Sequence, residues 1–201
     1  MNSIPSDHDI RQDSDSDRMA ESVTRHTQIS HIQQKQYSEN SLPAVWASFL
    51  DKPEWHWEWY GHFTFRDVFN PYTGLKHNVH PETAIKTWDK FIHILNRDIY
   101  GIKYWKRENK GVVWARGTEL QIRGAIHFHA LIGLIPANIR RLTYMDIWDS
   151  MAGFARIHAY IRGYGAEFYM SKSAYAWKRG EIDLGGPLAD RLKKDQGELS
   201  F

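Results

Sequence analysis

Cysteine is absent from all 201 residues. That excludes a disulfide framework, a thiolate zinc site and a cysteine nucleophile. No apolar run approaches the roughly 18 residues needed to span a bilayer, and the N-terminus lacks a hydrophobic signal core. A soluble, cytoplasmic protein with no membrane partner is therefore expected. No GxxxxGK(S/T) loop occurs, so nothing suggests an attached nucleotide-driven motor. Neither sign of charge dominates: the formal net charge is +2. Its distribution is uneven, however. Residues 1–40 carry four Lys/Arg against seven Asp/Glu, and the remainder 22 against 17. A modestly basic body is compatible with a nucleic-acid partner without demanding one.

What is abundant is aromatic: nine Trp, ten Tyr and nine Phe, suited to core packing and to stacking on bases. The length fits one domain with an extension. Residues 1–42 are polar, with a DSDSDR charge run and scarcely an apolar period, and are expected to be a flexible leader. The domain spans 43–188 and a polar tail 189–201. Ala44–Leu50 suggests a short helix. Trp57–Phe65 alternates Trp57, Trp59, Gly61, Phe63 and Phe65 against Glu58, Tyr60, His62 and Thr64, a strand with one aromatic face. Asn70–Gly74 is a loop signal. From Pro81 to about Asp98 a helix should bury Ile85, Trp88, Phe91, Ile92 and Leu95, with His93 at its surface. Strands are expected at 112–121, 126–134 and 156–161, helices at 143–154 and 166–178, and a terminal strand in GEIDLGG. The order gives an α+β fold, an antiparallel sheet with helices packed to one side.

The stretch Thr118–Leu131, TELQIRGAIHFHAL, carries the chemistry. Residues two apart in a strand share a face, so His127 and His129 lie side by side with Phe128 turned into the core. Glu119 and Gln121 share a face likewise. If Arg123-Gly124-Ala125 forms a three-residue hairpin loop, Gln121 stands opposite His127 and Glu119 opposite His129. Two imidazoles and a carboxylate then converge, a mixed N/O set that suits a divalent ion with open coordination positions. An isolated HxH can equally be the polar face of a half-buried strand.

On the last helix Tyr169 and Lys172 project from nearly one face, and Tyr175 and Lys178 repeat the spacing, rotated by roughly 240°. A phenol is a poor nucleophile at neutral pH, but a nearby ammonium or a metal-polarised phosphate lowers the barrier. Taken alone, YxxK is a weak pattern.

An aromatic FTF strand, then ExQxRGxxHxH, then YxxK on a later helix together resemble the HUH rolling-circle replication initiators of plasmids and single-stranded DNA phages, over about 60% of the chain, residues 59 to 178. The resemblance implies a palm-like, ferredoxin/RRM-like fold and a site-specific endonuclease that nicks and rejoins single-stranded DNA at a replication origin through a 5′-phosphotyrosine. It implies that Glu119, His127 and His129 hold Mg²⁺ or Mn²⁺, that Tyr169 attacks the phosphate, with Tyr175 the alternative nucleophile, and that Lys172 positions or neutralises the phosphate or organises the metal site. Thr64 matches the family's first motif, whose role is chiefly structural. With no helicase domain in the chain, unwinding would depend on a host helicase, acting with a host polymerase, or on an origin already single-stranded or extruded. Transposase and relaxase are variants on the same chemistry. The competing class is a non-catalytic single-stranded nucleic-acid-binding module, and a third reading is a small-phosphoester hydrolase indifferent to Tyr169. Trp105, Lys106, Arg107, Arg123 and Lys178 are the candidate DNA contacts.

Overall fold

The structure, a computed structural model, describes residues 41–106, 111–121, 124–176, 182–187 and 190, with the backbone alone for 172–176. The expected leader up to residue 40, Arg107, Arg123, Lys178 and the tail from 191 lie outside the described residues. So do the side chains of Lys172 and Tyr175.

The sheet is antiparallel and five-stranded, in the order β6-β1-β5-β4-β7. Its strands are β1 (Trp57–Thr64), β4 (Val113–Leu120), β5 (Ile126–Gly133), β6 (Ala155–Ala159) and β7 (Ile182–Gly185). The helices are α1 (Leu42–Leu50), α2 (Pro81–Tyr100), α3 (Arg141–Met151) and α4 (Ala166–Ala176). The α+β class expected from the sequence is the fold observed.

Helices cover both faces, not one. On the first, Ala84, Trp88, Phe91, Ile92 and Leu95 of α2 and Tyr144 and Trp148 of α3 pack on Trp59, Phe63, Phe128, Ala130 and Ile132. Phe63 sits at the centre, with ring centroids 5.2 Å from Trp88, 5.4 Å from Phe91 and 5.0 Å from Trp148. On the second, Leu50 of α1 and Met170 of α4 pack on Val113, Ala115, Leu131 and Ile182. β5 is buried along its whole length, because as the central strand it serves both layers.

Local chemistry explains the elements and their departures from expectation. Pro81 at the first position of α2 needs no hydrogen-bond acceptor for a missing N–H, and Gly101, at φ 89°, closes the helix. Ile85 is 43% exposed and falls outside the stripe that buries Trp88, Phe91 and Leu95; Ala84 takes the core position. His93 is exposed, as expected. The aromatic face of β1 is broken by a register shift between Trp57 and Trp59. The extra residue turns Trp57 into the second layer, where its indole N–H donates to Leu50 O at 2.8 Å. The Asn70–Gly74 loop is the tip of a small hairpin, Val68–Phe69 (β2) with Lys76–His77 (β3). These two-residue strands are too short to show a period.

A candidate metal centre beside a tyrosine

The second face of the sheet carries the polar side chains. Strand alternation puts Tyr60, His62 and Thr64 of β1, His127 and His129 of β5 and Glu119 of β4 on one side, and pairing sets them in rows. His62 stands opposite His129, and Thr64 opposite His127. Across the β4–β5 hairpin Glu119 stands opposite His127, and Gly117 opposite His129. The expected register was two residues different. Gln121 N–H donates to Ala125 O at 2.9 Å, so this pair closes the hairpin, and Gly124 has a φ of 78°. Gln121 consequently pairs with Ala125, and Glu119 takes the place opposite His127. Glu119 reaches His129 diagonally, its Oε2 2.9 Å from His129 Nε2.

His127 and His129 therefore lie side by side, Glu119 meets His129, and a third histidine, His62, joins the pair. Ligand atoms of His62, His127 and His129 lie within 4.8 Å of one another. The ring centroids of His129 are 4.6 Å from His127 and 4.7 Å from His62. Three imidazoles at this separation can hold a metal ion. His62 was legible in the sequence only as part of the polar face of β1. Its two-residue spacing from Thr64 becomes informative once β1 is known to pair with the HxH strand.

The donors are held from behind. Thr64 Oγ1 is 2.9 Å from His127 Nδ1; with Nδ1–H donating to the hydroxyl, Nε2 is left as the ligand atom, the arrangement metal-binding histidines use. Tyr60 Oη is 3.4 Å from His129 Nδ1. His127 is held neutral: burial, then His129, pushes its pKa down to about 4, against a smaller opposing pull from Glu119. A neutral imidazole is the ligand form, so protons compete little for that nitrogen at neutral pH.

Tyr169 comes from α4, which packs across this face. Its ring centroid is 4.8 Å from that of His129 and 6.1 Å from that of His62. Burial, and then the charge of Glu119, raises its pKa above the ordinary phenol value. Tyr60, beneath the histidines, is raised well above it by burial, and further by Tyr169 and Glu119. Near neutral pH both phenols keep their protons while that negative field stands.

Trp105 and Lys106 lie in a short turn after α2, at residues 104–106, and are exposed. Trp105 packs instead near His93, with ring centroids 6.1 Å apart, and α2 lies on the opposite face of the sheet. These two sequence candidates are not brought to the histidines. Among the described residues no helix is long and apolar enough to cross a membrane. Neither the family profiles nor the characterised proteins nor the solved structures compared with this chain match it.

Proposed function

We propose that the chain is a metal-dependent endonuclease of the HUH kind, which nicks and rejoins single-stranded DNA with Tyr169 as nucleophile. The observation that carries this reading is the ring of Tyr169 lying 4.8 Å from that of His129, on the same side of the sheet as His62 and His127. A structural histidine face has no need of a phenol from a separate helix at that spot.

His62, His127 and His129, with Glu119 at their edge, would hold the ion. Three nitrogen donors favour Mn²⁺ over Mg²⁺, which prefers an all-oxygen shell. When bound, it supplies charge neutralisation at a non-bridging phosphate oxygen. The phenol oxygen of Tyr169 attacks the phosphorus in line, its proton passes to water, and the bond from phosphorus to the 3′ oxygen breaks. The products are a 5′-phosphotyrosine and a free 3′-hydroxyl. One phosphoester replaces another, so the reverse attack rejoins the strand without a nucleotide cofactor. Thr64 and Tyr60 keep two imidazoles in ligand orientation, and α4 keeps the phenol over them.

The test is a random-sequence single-stranded DNA pool incubated with the full chain and Mn²⁺. The expected result is cleavage with DNA retained on denatured protein, abolished by chelator and by Tyr169→Phe. Salt-sensitive binding with no adduct would assign the chain to the non-catalytic class. Cleavage that survives Tyr169→Phe would indicate water as the nucleophile.

A further inference from the structure

Beyond the histidines, the same face continues onto the edge strand β6. Arg156 pairs with His62 and His158 with Tyr60. Ala155 and Ile157 of β6 point into the opposite core, so strand alternation turns Arg156 and His158 toward the histidine side. The ring of His158 is 6.3 Å from that of His62. Arg156 thus occupies the same cross-strand row as His62 and His129, one strand further toward the open edge of the sheet.

The guanidinium of Arg156 lies over the ring of Phe154, 5.7 Å from its centroid. Both residues are exposed, Phe154 by 57%. Among the described residues Arg156 makes no ion pair with a carboxylate. By contrast Arg66, Arg97, Arg116 and Arg162 are each paired with an aspartate. Phe154 is fixed by its backbone, since Thr64 N–H donates to Phe154 O at 2.8 Å. A large exposed aromatic and an unneutralised, stacked guanidinium therefore stand together beside the candidate ion site.

Resting on the single-stranded DNA reading above, we propose that Arg156 and Phe154 form the subsite for the nucleotide next to the reacting phosphate. Arg156 takes that neighbour's phosphate and Phe154 stacks its base. The guanidinium fork matches phosphate oxygens, and stacking on the ring limits the freedom it loses on binding. An exposed phenylalanine offers a π-face to any base, which supports affinity without sequence choice. The strand would then enter across β6 and pass over His62 toward Tyr169.

The experiment is fluorescence anisotropy with a fluorescein-labelled dT20 strand and Mn²⁺, on the full chain and on Arg156→Ala, Arg156→Lys and Phe154→Leu. Losing one charged hydrogen-bonding contact predicts about tenfold weaker binding for Arg156→Ala. The plot of log affinity against log salt should become shallower by about 0.7, the value of one single-strand phosphate contact. Arg156→Lys keeps the slope and loses part of the affinity. Phe154→Leu loses affinity at unchanged slope. Mn²⁺ binding and circular dichroism remain those of the parent in all three. If the parent binds dT20 and Arg156→Ala matches it in affinity and slope, the subsite is overturned while the endonuclease reading stands. If the parent binds no single strand, the reading beneath it falls as well.

Discussion

His62 and His127 make different contributions to the same cluster, and each can be measured alone. His127 is buried and held neutral, its pKa lowered from 6.5 to about 4. A depressed basic group favours folding above its unfolded value and opposes it below. In chelator, stability should therefore fall as pH drops from about 6.5 to about 4, by up to roughly 3 kcal/mol. His127→Gln should remove that part of the acid dependence in denaturant titrations. His62→Ala should lower Mn²⁺ affinity by ten- to a hundred-fold in calorimetry, as loss of a ligand or its support does. An unchanged affinity would show that His62 is merely a neighbour. His127 and His129 stood out in the sequence because HxH is a local pattern with period two. His62 did not, since its meaning depends on pairing with residues more than 60 positions away.

At the level of elements, two contacts hold the end of β1 and the pose of α4. A methyl group on Gly153 would stand 2.3 Å from Thr64 O and 2.8 Å from Arg66 N, both backbone atoms that cannot swing aside. Gly153→Ala should cost 1–3 kcal/mol, the usual penalty of overpacking. It should also weaken Mn²⁺ binding, because Thr64 moves with its backbone and His127 with Thr64. Glu167, on the first turn of α4, accepts from the hydroxyl of Tyr160 on the loop after β6. Burial raises its pKa above 4.5, against smaller opposing hydrogen bonds from Tyr160 and its own backbone. A raised carboxyl stabilises the fold fully below its unfolded pKa and less as pH climbs through the folded value. The melting temperature of the parent relative to Glu167→Gln should accordingly decline as pH rises from 4.5. The reverse slope would mean that the carboxylate is better solvated in the fold than its burial implies.

For the whole molecule, the sequence carried the order of elements, the α+β class and the core role of Phe128 and Trp88. The placement of helices on both faces was not legible. It follows from the bulge that turns Trp57 away from Trp59 and from the two-sided burial of β5, neither of which a single alternating strand announces. The hairpin register missed by two residues for a related reason: Gly124 fits either loop, and only the Gln121–Ala125 bond decides between them. The layered arrangement is what brings a helix from residues 166–176 over histidines from three strand positions, and the proposed activity depends on that meeting. The most direct measurement is mass spectrometry of the protein–DNA adduct formed with Mn²⁺ and a random single-stranded pool. The prediction is a nucleotide attached through phosphate to the peptide containing Tyr169, and no adduct from Tyr169→Phe. Attachment at Tyr60, Tyr175 or any other side chain, or cleavage with no attachment, would contradict it.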